Sequence, residues 1–244
     1  MRSHGHEHLT AAAVVSQLVA VVLGIVVAAG AAAEAAVAWG VDAQSRVYRW
    51  HEGRWQLVEG KLAMVSVGSD GAVWGVDPSH RVFRRVHDEW IEMPGRLSQI
   101  AVGTAHAVWG IDPEGRVWRW NGTQWVGVEG RLDSISVGSD GSVWGIGPDR
   151  MIYRRVRSAW RGTAGELRRL SANDRDCAWG VDAHEKVWRW MDGRWQRAAG
   201  QLRWLAADGD EVWGIDKFAN VYRRSGERWR LLPGSLVQLD VADR

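Results

Sequence analysis

The chain has 244 residues, enough for one large domain or two small ones. Its 31 Lys and Arg against 29 Asp and Glu leave a net charge of +2 with no basic block, which argues against nucleic-acid binding. A single cysteine, Cys177, rules out an internal disulfide framework and a cysteine-based zinc site.

Residues 1–35 follow rules of their own. A polar start, Met1–His8, leads into an apolar run, Ala11–Ala33, broken only by Ser16 and Gln17, and a small-residue exit ends at Glu34. Charged start, apolar middle and small-residue exit describe a secretory signal peptide. The run is also long enough to cross a bilayer once, so a retained anchor stays open, as does an ordinary N-terminal extension. His4, His6 and His8 alternate, and a solvated tail accounts for them.

From residue 36 onward the chain repeats itself. Eighteen Trp stand beside three Tyr and two Phe, and their spacing is periodic. Trp-Gly recurs at Trp39, Trp74, Trp109, Trp144, Trp179 and Trp213, in steps of 35, 35, 35, 35 and 34 residues. A second series, Trp55, Trp90, Trp125, Trp160, Trp195 and Trp229, keeps the same steps, as do the leucines of Gly-x-Leu from Leu62 to Leu236. An aromatic-Arg pair follows in every copy: Tyr48-Arg49, Phe83-Arg84, Trp118-Arg119, Tyr153-Arg154, Trp188-Arg189 and Tyr222-Arg223. Markers in one phase through six copies define a repeat architecture.

Within the copy after Gly60 the runs 62–67, 72–77, 81–85 and 89–92 are short, apolar or aromatic, and separated by Gly-Ser-Asp-Gly, Pro-Ser-His and Val-His-Asp. Such runs read as strands, and four antiparallel strands in this length make a propeller blade. The expected fold is all-β: a six-bladed β-propeller of four-stranded blades over 36–244, preceded by the N-terminal apolar segment. A propeller must close, because an open array leaves apolar faces at both ends. The segment Gly234–Val241 matches the first strand of a blade and nothing follows it. The first copy lacks that strand, since the places of its Gly and Trp fall on Ile25 and Ala20. The C-terminal strand is therefore expected to complete blade 1.

A longer period overlies the first. After the aromatic-Arg pair, blades 1, 3 and 5 carry Trp50, Trp120 and Trp190, whereas blades 2, 4 and 6 carry Arg85, Arg155 and Arg224. Asp70-Gly71, Asp140-Gly141 and Asp208-Gly209 occur in the even blades only. Blade pairs thus repeat three times, and up to three ligand sites of one kind are expected.

The phrase from Leu62 to Asp77 followed by Arg81-Val-Phe-Arg84, and its copy Ile135–Ile146 with Ile152-Tyr-Arg154, resemble the tectonin repeat. The resemblance spans 36–244 and implies a propeller of the tectonin and tachylectin type, a group of lectins for lipopolysaccharide and N-acetylated or O-methylated sugars. Related repeats in larger proteins of membrane traffic keep a protein-interaction scaffold open as the alternative. The family usually has Asn after Trp-Gly-Val, where this chain has Asp42, Asp77, Asp112, Asp182 and Asp216, and blade 4 has Gly147.

Each Trp of Trp-Gly is expected to pack between blades. Each Trp of the second series opens an edge strand, where packing competes with stacking on a sugar. The Arg of the aromatic-Arg pairs is expected over a ring or on a carbonyl. Trp50, Trp120 and Trp190 are candidates for ligand stacking, since a place that accepts Trp or Arg does not look like buried core. A Trp there could also stack on an Arg of the next blade. The five Asp residues precede turns, which they can cap. They also form a carboxylate ring on one face, suited to vicinal sugar hydroxyls or to calcium. With no nucleophile elbow, phosphate loop or repeated His, the chain is expected to be a non-catalytic, secreted or cell-surface glycan or lipopolysaccharide binder. Membrane contact is expected only through the N-terminal segment.

Overall fold

A four-stranded sheet with apolar residues on both faces must be covered by a neighbour on each side. The computed structural model, which describes residues 36–243, arranges six such sheets as blades of a propeller. The innermost strands, Met64–Val67, Gln99–Thr104, Ser134–Val137, Arg169–Ala172, Trp204–Asp208 and Gln238–Asp243, touch one another in sequence around a closed ring. The last of these pairs antiparallel with Ala36–Val41, from Ala36↔Asp243 to Val41↔Gln238, so the C-terminal strand completes blade 1. Residues 1–35, where a leader or anchor is expected, lie outside the described residues. Among the described residues no helix is long and apolar enough to cross a membrane.

The four runs expected of blade 2 are present, with shifted ends: Met64–Val67, Val73–Val76, Arg81–Val86 and Glu89–Arg96. The outer strand runs on through Pro94, which costs no ladder bond at a sheet edge.

The core lies between blades rather than within them. Trp39, for example, packs with Leu62, Val65, Val67 and Val73 of the next blade, and the pattern recurs at all six junctions. The markers of the repeat interlock. A Cβ at Gly75 would collide with Leu62 Cδ1, so the glycine of Trp-Gly makes the bed for the leucine of Gly-x-Leu. Gly60, at φ +129°, has the Trp90 ring 2.9 Å from where a Cβ would stand, and the Trp90 indole donates to the Glu59 carbonyl at 2.9 Å. The second Trp series thus locks each blade onto the outer edge of the one before it.

Candidate functional site

The Asp residues after Trp-Gly are placed by the turn between the second and third strands. Asp42 Oδ1 accepts the backbone N–H groups of Gln44 and Arg46, each at 2.9 Å. Its Oδ2 accepts Arg46 Nε at 2.7 Å and the Tyr48 hydroxyl at 3.1 Å. Asp112 does the same with Glu114 and Arg116 N–H, Arg116 Nε and the Trp118 indole. Asp77 takes Ser79, Arg81 and the Arg81 guanidinium. Asp182 takes His184, Lys186 and the Trp188 indole, and Asp216 takes Phe218, Asn220 and the Tyr222 hydroxyl. Burial works against their charge, yet these donors outweigh it and hold all five carboxyls below the usual range. Each is an ionised cap of its own turn. Among the described residues no group of three or more His, Cys, Asp or Glu is placed to hold a metal ion, and the oxygens of these five carboxylates are taken up by donors of their own turns.

The departure at Gly147 has a local cause. Asp149, two residues on, accepts Met151 N–H and the Tyr153 hydroxyl, and a Cβ at position 147 would lie 2.5 Å from its Oδ1. In every blade but the second, where Phe83 has no donor, the aromatic residue of the aromatic-Arg pair is thus a partner of the turn carboxylate, a role that sequence reasoning did not assign. The signal was available, because an Asp and a Tyr or Trp six residues apart recur in four blades.

Trp50, Trp120 and Trp190 sit at blade junctions. Trp120 packs edge-on against Trp74 of the preceding blade at 5.6 Å and against Trp125 at 5.3 Å. Trp50 meets Trp213 and Trp55, and Trp190 meets Trp144 and Trp195, in the same way. In the alternate junctions Arg85 lies over Trp39 and Trp90, Arg155 over Trp109 and Trp160, and Arg224 over Trp179. The place is the plug of a Trp-lined junction, which a third indole or a guanidinium can fill. At Trp120 the step from Trp/Arg interchange to an open position fails, since that side chain is 6% exposed, whereas Trp50 and Trp190 keep part of their rings at the surface. Of the Arg in the aromatic-Arg pairs, Arg84, Arg154, Arg189 and Arg223 lie over the Trp of their own blade's Trp-Gly.

What remains open to a ligand lies beside these groups. Between blades 2 and 3 a groove of about 300 Å³ is lined by Arg96, Asp112, Glu114, Arg116, Trp118 and Trp125. At the corresponding place between blades 4 and 5 a groove of about 570 Å³ is lined by Arg150, Glu166, Arg168, Asp182 and His184. Both grooves lie on the face carrying the Asp turns and contain a turn Asp, the first also holds Trp118 and Trp125, and neither is lined by Trp50, Trp120 or Trp190. The central channel is narrower. Its free volumes of about 20 and 40 Å³ are water-sized, and its wall is polar with Ser66, Ser136, Ser171 and Asp240.

The model of the Tectonin domain matches residues 26–122, 106–209 and 175–244. The chain belongs to the Tectonin family. Comparison of this tectonin propeller with curated proteins finds no match. Among solved structures it is similar to the WD40 β-propeller domain of Doa1, with TM-score 0.60, 12% identity and 82% of this chain against 80% of that one. It is also similar to YCF48 bound to D1 peptide, with TM-score 0.53, 15% identity and coverage of 81% and 78%. A chain of a mitotic checkpoint complex matches with TM-score 0.56, 12% identity and coverage of 80% and 73%. At these identities the likeness is one of fold.

Proposed function

We propose that this tectonin propeller is a non-catalytic, multivalent glycan-binding protein that acts outside the cell. The observation that carries the reading is the repetition of a shallow groove at corresponding blade junctions. Each groove combines carboxylate, guanidinium and, between blades 2 and 3, the indoles of Trp118 and Trp125. An aromatic edge with several orienting polar groups suits a sugar, which presents one apolar face and a rim of hydroxyls. The turn carboxylates serve here as fixed walls, and the exposed Glu114 and His184 supply freer polar groups. A shallow site binds weakly, and repetition around the ring supplies avidity on a polyvalent surface such as lipopolysaccharide.

One observation favours a protein partner instead: Leu57, Leu231 and Phe218, on the adjacent blades 1 and 6, are 65%, 60% and 71% exposed. The structurally similar YCF48 is recorded with a bound peptide. A glycan array probed with the full chain separates the two. The expected result is retention on a defined sugar, weakened severalfold by Glu114→Ala and by His184→Ala. A blank array from folded, monodisperse protein sinks the glycan reading and leaves the protein-partner one.

A further inference from the structure

The groove between blades 3 and 4, of about 680 Å³, lies on the face opposite the Asp turns and has a different character. Arg119 comes from the third strand of blade 3, Arg154, Arg155 and Arg157 from blade 4, and Arg175 from the first loop of blade 5. Among the described residues no carboxylate forms an ion pair with any of the five. The one acidic group in the lining, Asp140, accepts the backbone N–H groups of Ser142 and Arg175. The Arg154 guanidinium donates to the Arg175 carbonyl, whereas the Arg155 guanidinium, stacked between Trp109 and Trp160, has a buried Nη1 with no acceptor among the described residues.

The threefold repeat supplies two internal controls. Between blades 1 and 2, His87, Asp88 and Ala105 stand where this junction has Arg157, Ser158 and Arg175, and Asp88 pairs with Arg85 at 3.2 Å. Between blades 5 and 6, Glu211 stands at the place of Ser142 and binds Arg223, and Glu227 stands at the place of Ser158. The sister junctions thus carry their own counter-charges. In this one both carboxylate places are serine, Arg157 is added relative to both sisters (His87 and Gly226), and Arg175 is added relative to Ala105, whereas the other sister has Arg244 in its sequence at that place. Burial, with repulsion from Arg119, lowers the Arg155 pKa. The one carboxylate facing the five guanidinium groups among the described residues, Asp140, is held below its usual range, against its burial, by Ser142 and in part by Arg175, which leaves the cluster with an excess of positive charge.

We propose that this groove binds a tetrahedral oxyanion, a phosphate or sulfate group. Arg forks offer paired donors that match such oxygens, and five of them around one open groove place positive charge on several sides. The site is distinct from the junction grooves assigned to neutral sugar and stands independently of them.

The test is calorimetric titration of the full chain at low salt with inorganic phosphate, glucose 6-phosphate and glucose. Binding of both anions but not glucose is the expected result. Equal affinity for the two identifies a free oxyanion as the ligand, and tighter binding of the sugar phosphate identifies a glycan-borne group. Arg157→Glu, and Ser158→Asp, which restores the carboxylate of the sister junction, each should weaken binding roughly tenfold or more. Asp140→Asn should strengthen it severalfold, and His87→Glu at the sister junction should leave it unchanged. No binding of either anion, or an equal loss with His87→Glu, overturns the proposal. Retention on neutral glycans should survive Arg157→Glu, so failure here and failure of the glycan reading are separable.

Discussion

Asp112 shows how one residue can be used up by its own surroundings. Its two oxygens receive four donors, from the N–H groups of Glu114 and Arg116, from Arg116 Nε at 2.6 Å and from the Trp118 indole at 2.9 Å. Asp112→Ala removes the buried carboxylate that these donors share at a solvent-facing turn and should cost about 1–3 kcal/mol, read as a lower urea midpoint at unchanged slope. Asp149→Ala, in the exposed turn of blade 4, should cost less. Both outcomes follow from the caps being structural, and an unchanged midpoint for Asp112→Ala would count against that role. The residue types and their places were legible in the sequence, and so was the turn. The number of donors on each carboxylate was not, because it depends on a side chain six residues on reaching back across the strand pair.

At the scale of the element, the decisive piece is the C-terminal strand. Gln238–Asp243 supplies the inner edge of blade 1 and bonds sideways to blade 2: Gln238 exchanges two bonds with the Val65 backbone, and Asp240 accepts from Ser66 and Val67. A chain ending at Pro233 loses that strand together with Leu236, whose side chain fills the space over Gly40. It should lose cooperative thermal unfolding, followed by tryptophan fluorescence. A sharp transition at the unaltered temperature would show that closure contributes nothing. This strand is legible in the sequence because it is an orphaned first quarter of a repeat. The true ends of the outer strands are less so, since an edge strand tolerates Pro94 and Gly95, which the local pattern reads as a stop.

For the whole molecule, the channel gathers what no single blade contains. Asp240 faces it, so water can touch the carboxyl although protein surrounds it on every side. Burial pushes it up to about 7 against the bonds from Ser66 and Val67, and Asp208 adds repulsion. The folded state therefore holds a proton that the unfolded state, at the ordinary 3.8, releases. This contribution to stability is complete below the unfolded value and is lost as the pH rises toward about 7. The five turn carboxylates, with lowered values, act in the opposite direction and only in more acidic solution. Between about pH 5 and about pH 8 the wild-type chain should lose stability relative to Asp240→Asn, by an amount on the order of 1–3 kcal/mol. Denaturation curves of the two proteins at both pH values check this, and parallel behaviour would place the ionised carboxylate in a well-solvated channel.

The blade number, the phase of the strands, the closing strand and the pairing of blades into three were all determined by the sequence alone. A repeat writes each of its contacts six times, and a contact needed in every copy leaves a residue in every copy. Tertiary structure decided which of these residues are spent and which are left over. Trp50, Trp120 and Trp190 pack as junction plugs because the Trp of the preceding blade arrives beside them, and of the three Trp120 is buried. The five guanidinium groups of the groove between blades 3 and 4 come from three blades, up to 56 positions apart in number between Arg119 and Arg175. Arg119, Arg154 and Arg155 belong to the repeated markers, but Arg157 and Arg175 lie outside them, and only the curvature of the ring brings the five to one groove.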